Sequence, residues 1–446
     1  MNAPSGKAPR TGRLARSVIA GATVARVGLK QARHQMRANP SPQVTAAHEH
    51  DIGCLIFAAL TQLRGTALKA AQVLSMDPGL LPPGVRAQLA RATHQALPLN
   101  RALVSRAFRQ AFGREPQALY AEFDPDAFAA ASLGQVHRAR LVDGSAVAVK
   151  VQYPGIAQTI DSDLRLLRAS LSAAGLDRLG LPGDEAIDKV LSEIRHQLAL
   201  ELDYRHEAGQ QTWFAEHAAD PCIAIAAVVP ELSCTTVLTQ HFMSGLHVND
   251  WLQSQPARDL RDRAGQALFD WFVRCAFVHR RIHADLHPGN ILFDDQGRIA
   301  LLDFGSTCEL GPVFTRALAT SWSTWLRQGT QGAAALLETY RGLGLTEPGL
   351  SVGAFVRQVL PYVGTLLDWA TEPLANERFD FANKSSLPAT DPGDRSRHAA
   401  TSFIAQVPSE MLFFDRAWLG LMHLLSRLQC RVDVREARAL LDAAAQ

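Results

Sequence analysis

His283-Ala284-Asp285-Leu286-His287-Pro288-Gly289-Asn290, followed by Asp303-Phe304-Gly305, is the stretch whose reading decides the fold. Phosphoryl transfer asks for little covalent help from a protein. It needs an acid beside the attacking hydroxyl and oxygen ligands that hold magnesium on the nucleotide phosphates. Asp285 is the candidate catalytic acid, and Asn290 and Asp303 are the candidate magnesium ligands. The linking segment reads as a hairpin, with Ile291-Leu292-Phe293 and Ile299-Ala300-Leu301-Leu302 flanking the turn Asp294-Asp295-Gln296-Gly297.

Upstream, Ala129-Ala130-Ala131-Ser132-Leu133-Gly134-Gln135-Val136 sits where a glycine-rich phosphate loop would be. Laid over G-x-G-x-x-G-x-V, Ala129 and Ala131 replace the first two glycines, while Gly134 and Val136 match. Two strands follow, His137 to Val142 and Ser145 to Val151, joined at Asp143-Gly144. The second carries Val147-Ala148-Val149-Lys150, and the V-A-I-K pattern makes Lys150 the phosphate-contacting lysine. Ala129, Ala130, Ala131, Ser132 and Val136 are the accompanying candidate ATP-binding residues. A Cβ at two glycine positions restricts how closely the backbone wraps phosphate, which predicts altered nucleotide selectivity. The fold class expected is α+β: a protein-kinase-like bilobal fold using ATP and Mg2+, with a mostly helical carboxyl-terminal lobe, to which the resemblance given below adds an N-terminal helical extension.

The lysine of such a site needs a carboxylate from a helix. Ile187, Val190, Leu191, Ile194 and Leu198 are helically spaced, and residues 184 to 207 read as one helix carrying Glu201, Asp203 and Glu207. On a continuous helix Glu201 and Glu207 point to different faces, so both cannot serve Lys150. Asp203 and Glu207 share a face.

Bulk properties fit a globular chain of 446 residues, 47% hydrophobic and 20% charged, long enough for more than one structural unit. The six cysteines are scattered singly, which indicates neither a zinc site nor a disulfide framework. No secretory signal and no uninterrupted apolar span of about 20 residues is seen, and Met411 to Cys430 reads as a core helix. Net charge is only +2, yet residues 1 to 48 hold eight Lys or Arg and no Asp or Glu. Within that stretch Leu14, Val18, Ile19, Ala22, Val24, Ala25 and Val27 run roughly helically, flanked by Arg13, Arg16, Arg26 and Lys30. An interfacial helix attracted to anionic lipid is one reading; a basic tail and an organelle transit peptide are the others. Nucleic-acid binding is not expected, because aromatics do not interleave with the charges.

These residues resemble the atypical kinases of the UbiB/AarF type, which include the mitochondrial coenzyme Q accessory kinases. The similarity runs from about Cys54 to Thr307. Its specific pieces are Ala129-Ala130-Ala131-Ser132, Val151-Gln152-Tyr153-Pro154-Gly155, Glu201-Leu202-Asp203-Tyr204 and His283 to Asn290. That family carries a Lys-x-Gly-Gln motif in a helical extension. Here it corresponds to Lys69-Ala70-Ala71-Gln72, with Ala71 in place of the glycine. The resemblance implies that the extension (Lys69, Gln72, with Glu201 and Asp203) regulates the site, that Lys69 pairs with Glu201, and that Glu207 pairs with Lys150. It also implies ATP hydrolysis or phosphorylation of a small or lipid-like molecule in support of ubiquinone assembly, with quinone-biosynthesis proteins as partners. The place implied is the inner-membrane surface of a bacterium, or a mitochondrion or plastid. A protein substrate is disfavoured on the residues too. No Ala-Pro-Glu follows Asp303, and Ser306 to Val313 is short for an activation loop.

The domain boundaries expected are 1–48, a basic and membrane-associating segment; 49–120, the helical extension; 121–245, the nucleotide lobe; and 246–446, the helical lobe. In the last, apolar periodicity marks helices at Ala317 to Trp325, Val356 to Leu367 and Phe403 to Leu428. Glu372 to His398 reads as a long loop, and Trp322, Trp325, Phe413, Phe414 and Trp418 as core. Two other functions stay open. A small-molecule phosphotransferase of the aminoglycoside or choline kinase type shares the His283 to Asn290 pattern. A nucleotide- and lipid-binding pseudokinase scaffold would share the fold without turnover.

Overall fold

The computed structural model describes residues 13–37, 41–63, 65–76, 81–89, 100–131, 133–174, 184–388 and 407–446. The chain forms two compact units, 1–208 with 228–242 and 209–227 with 243–446.

The first unit opens with helices α1 (Arg13–Gln35), α2 (Pro42–Leu63), α3 (Thr66–Met76), α4 (Pro83–Leu89) and α5 (Arg101–Phe112). Asn100 caps α5 by accepting from the Leu103 N–H at 3.0 Å, and Gly113 ends it with φ 68°. The short strands β1 (Glu122–Phe123) and β2 (Ala129–Ala131) and the seven-residue strands β3 (Gly134–Arg140) and β4 (Ala146–Gln152) come next. Asp143 and Gly144 turn β3 into β4. Gly144 takes φ 89°, and Asp143 Oδ1 accepts from the Ser145 N–H at 2.8 Å. Helices α6 (Ile160–Ala173), α7 (Asp184–Glu201) and α8 (Tyr204–His217) follow. Strand β5 (Ile223–Ile225) belongs to the second unit, and β6 (Val237–His241) returns to the first. The sheet order is β1-β3-β4-β6, with β2 on β3. Six of the seven residues of β4 are buried, so it is a central strand with both faces covered. Its core joins Val147, Val149 and Val151 to Phe108, Leu167 and Leu198.

The basic start is helical, but its apolar residues are divided between two faces. Thr23, Val27 and Gln31 are buried, with Ile19 and Val24 against the same core. Val18, Leu29 and Met36 are exposed, on a surface that also bears Arg26, Arg33 and Arg37.

In the second unit β7 (Leu246–His247), α9 (Val248–Gln253) and α10 (Arg258–Arg274) lead to β8 (Arg281–His283). The expected hairpin forms as β9 (Ile291–Phe293) and β10 (Ile299–Leu301), with Ile299 opposite Phe293 and Gly297 at φ 76°. Their sheet runs β5-β10-β9-β7, β5 parallel to β10. Strand β11 (Thr307–Glu309) pairs with β8, and only Leu310 and Gly311 separate it from α11 (Pro312–Gln328), a link too short for an activation segment. Helices α12 (Ala333–Gly342), α13 (Leu360–Thr371), α14 (Ser409–Leu428) and α15 (Arg435–Ala444) complete the unit, with strands β12 (Arg378–Asp380) and β13 (Arg431–Asp433) paired antiparallel. Trp322, Trp325, Phe414 and Trp418 lie in the core, and Phe413 is half-buried.

Two expectations change. Residues 184–207 are not one helix, because the chain leaves α7 after Glu201 and restarts at Tyr204. The stretch 372–388 is not loop throughout, since it holds β12, and 389–406 lie outside the described residues. Among the described residues no helix is long and apolar enough to cross a membrane.

Candidate functional site

In the first unit Lys150 lies mid-sheet, in register with Val136 of β3 and Leu238 of β6. A charged side chain on a buried strand is costly unless paired. Its Nζ is paired with Glu207 Oε1, and both side chains are buried. Asp203 sets the position of Glu207 by starting α8. Its Oδ1 accepts from the Arg205 N–H at 3.0 Å, and its carbonyl accepts from the N–H groups of His206 and Glu207. The break between α7 and α8 therefore replaces the shared-face reading of Asp203 and Glu207. Asp203 acts through the backbone, as a cap. A second pair joins Lys69 Nζ on α3 to Glu201 Oε1, the last residue of α7, at 2.9 Å with both side chains largely buried. Gln72 lies on α3, its side chain outside the described residues.

The alanine-rich segment is a hairpin strand. Ala129 pairs with Val136, Ala130 with Gln135 and Ala131 with Gly134. Extended backbone accepts a Cβ without strain, so the alanines need none of glycine's conformational freedom here. Ala129 and Ala130 are exposed and Val136 is half-buried; Ser132 lies outside the described residues. Gly134 is different. A Cβ there would come within 2.4 Å of the Val151 carbonyl oxygen and 2.9 Å of the Tyr204 hydroxyl. The approach of β3 to β4 and α8 therefore requires glycine.

In the second unit His283 ties the two acidic motifs together. Its Nδ1 accepts from the Asp285 N–H at 3.2 Å, and its Nε2 lies 2.5 Å from the Asp303 carbonyl oxygen. Those partners require the neutral tautomer with the proton on Nε2. Burial pushes the His283 pKa below its ordinary value, against the opposing pull of Asp285 and Asp303. Asn290 Nδ2 donates to the Asp285 carbonyl at 3.2 Å and reaches Asp285 Oδ2 at 3.4 Å. Asp303 Oδ1 accepts from the Gly305 N–H at 2.9 Å, which fixes the carboxylate over its own turn. Phe304 is fully buried against Phe214 and the His283 ring.

This donor set fits magnesium. With Nδ2 of Asn290 committed to Asp285, the amide offers Oδ1, and Asp303 offers a carboxylate. Hard oxygens, few in number and completed by phosphates and water, suit that ion.

One contact was not read from the sequence: Arg416 of α14 places a guanidinium nitrogen 2.8 Å from Asp285 Oδ1. No local spacing links the two residues, and in sequence Arg416 is only one charge interrupting an apolar helix.

Residues 91–337 match the family described as the ABC1 atypical kinase-like domain. The chain is 34% identical over 278 residues to the atypical kinase COQ8B, mitochondrial, of Rattus norvegicus, covering 62% of this chain and 51% of that protein. It is 30% identical over 250 residues to the atypical kinase COQ8, mitochondrial, of Saccharomyces cerevisiae, covering 55% and 49%. The chain thus spans about half the length of these relatives. Among solved structures, the Rv3197–erythromycin complex from Mycobacterium tuberculosis aligns with TM-score 0.61 at 24% identity, over 91% of this chain and 99% of that one. That likeness shows the fold alone.

Proposed function

Because this chain belongs to the ABC1 atypical kinase-like family, we propose that it is an ATP- and magnesium-dependent enzyme of the UbiB type that supports quinone biosynthesis. The observation that carries this reading is the buried Lys150–Glu207 pair, a cation held mid-sheet where nucleotide phosphate would be received. Relatives bearing the name COQ8 supply the pathway.

In this reading Lys150 binds phosphate oxygens and Glu207 holds the lysine in place. Asn290 and Asp303 hold magnesium, which when bound neutralises charge on the transferring phosphoryl group. Asp285 orients the acceptor hydroxyl, or a water, and takes its proton as the new oxygen–phosphorus bond forms. The bond from the γ-phosphorus to the bridging oxygen breaks, and ADP leaves with that electron pair. The acceptor is a small or lipid-like molecule or water. The two-residue link between β11 and α11 supports this, as it leaves no length for a peptide-docking segment. Attachment to the membrane surface is peripheral, through the exposed side of α1 with Val18, Leu29, Met36 and its arginines.

The test measures quinone intermediates in a strain lacking this protein, complemented with wild type or Asp285→Asn. Restoration by wild type and accumulation of intermediates with Asp285→Asn is the expected result. Equal rescue by both would favour a nucleotide-binding scaffold. Unchanged quinones in the deletion strain would remove the pathway assignment.

A further inference from the structure

We propose that Arg416 is a positioning residue for the reaction, supplying from a distant helix the cation that aims the Asp285 carboxylate. The proposal rests on the reading above, in which Asp285 receives the acceptor's proton.

Among the described residues, four contacts hold Asp285. His283 Nδ1 accepts from its N–H, and Asn290 Nδ2 donates to its carbonyl. On the side chain, Oδ2 lies 3.4 Å from that same Asn290 Nδ2, a long contact, while Oδ1 lies 2.8 Å from the Arg416 guanidinium. Among these contacts the backbone is held by neutral groups, and a charged hydrogen bond on the carboxylate comes from Arg416. Such bonds are shorter and roughly twice as strong as neutral ones.

The residue before Asp285 carries no charge. In the pattern H-R-D an arginine precedes the aspartate; here Ala284 stands there, fully buried. Two residues beyond Asp285, His287 Nδ1 accepts from the Gly289 N–H. Helix α14 is held where Arg416 reaches Asp285. Phe414 and Trp418 anchor it in the core, and Gly420, one turn beyond Arg416, lies against Leu286: a Cβ there would meet the Leu286 carbonyl oxygen at 3.5 Å. Arg416 and Gly420 share a face, so the seating of the helix on Leu286 sets the reach of Arg416 to Asp285. The arginine side chain keeps 20% exposure and the aspartate 27%, so the pair is neither sealed in the core nor freely solvated. A carboxylate anchored by a charged hydrogen bond is pre-aimed, and misplacement by about 1 Å can cost roughly a hundredfold in rate.

The experiment compares wild type, Arg416→Met and Arg416→Lys in magnesium-ATP turnover, with nucleotide affinity measured by a fluorescent ATP analogue. Arg416→Met should lower kcat about a hundredfold while the analogue's dissociation constant stays within about twofold, since Arg416 is assigned to Asp285 and not to phosphate. Arg416→Lys should recover part of kcat but not all of it, as a single point charge lacks the planar fork. Turnover in Arg416→Met equal to wild type, an analogue dissociation constant that rises along with the loss of kcat, or no recovery of kcat in Arg416→Lys would overturn the assignment. A wild type that binds the analogue but never turns over ATP would overturn the enzyme reading and this inference together.

Discussion

Lys69 on α3 and Glu201 at the end of α7 form an ion pair at 2.9 Å, while Glu207, just past the start of α8, serves Lys150. The two carboxylates are separated by a helix break, and each is committed to its own lysine. Both lysines are largely buried, so each carboxylate has a duty that the other cannot assume.

The first prediction concerns that division. Removing one partner of a buried pair leaves an uncompensated charge and costs about 3–5 kcal/mol, whereas replacing both is often close to neutral. Lys69→Met alone should destabilise the first unit by an amount near the lower end of that range, since the pair retains slight exposure. Lys69→Met with Glu201→Gln should regain most of the loss. Chemical denaturation of the two variants checks this; additive losses would mean that the pair is not coupled.

How much of this was legible beforehand depends on range. The β3–β4 and β9–β10 hairpins announce themselves locally, through alternating apolar residues and the turns at Gly144 and Gly297. The break between α7 and α8 did not, because apolar spacing continues on both sides of Leu202. The signal was Asp203, a residue type that favours caps over helix interiors. Strand β12 is three residues long and gains its identity only from β13, some fifty residues later. Arg416 reaches Asp285 across 131 positions, with no periodicity to expose it. Short-range patterning writes turns and strands into sequence; contacts between distant elements are written only in the fold.

Gly134 and Ala129 should respond oppositely to exchange of a methyl group. Gly134→Ala must push a Cβ into the Val151 carbonyl and the Tyr204 hydroxyl. Overpacking of this kind costs about 1–3 kcal/mol, and the upper value corresponds to roughly 6–12 °C in Tm. Ala129→Gly touches an exposed strand residue and should cost only about 0.5–1 kcal/mol. Its effect should fall on nucleotide binding instead, changing the ratio of ATP to ADP dissociation constants. Calorimetry and a binding titration on both variants separate the two effects. ATP and ADP constants in Ala129→Gly equal to those of the wild type would refute a restrictive role for the alanine.

Asp303→Asn keeps the shape of the turn, and its amide oxygen can still accept from the Gly305 N–H. The variant loses the only negative charge among the two proposed magnesium ligands. Magnesium-dependent ATP turnover should fall about a thousandfold, the scale seen when one preorganised electrostatic group is lost, and thermal stability should change little. Unchanged hydrolysis in the purified variant would sink the metal assignment.

The last prediction follows from His283. Burial lowers its pKa below 6.5, so the folded chain favours the neutral ring while the unfolded chain protonates near the ordinary value. Above about 6.5 both states are neutral at this residue and its stabilisation is complete. As the pH falls through that value, the unfolded state takes up a proton first and stability declines. A proton on Nδ1 would also face the Asp285 N–H, donor against donor, and the link between the Asp285 and Asp303 segments would open. His48 and His137, also lowered by burial, add to the slope in the same direction. Urea midpoints should therefore drop between pH 7.5 and 5.5, and drop less in His283→Gln. Long-range proton–nitrogen NMR at pH 7.5 should show the Nε2–H tautomer for His283. A ring protonated on Nδ1 would contradict the hydrogen bonds that place Asp285.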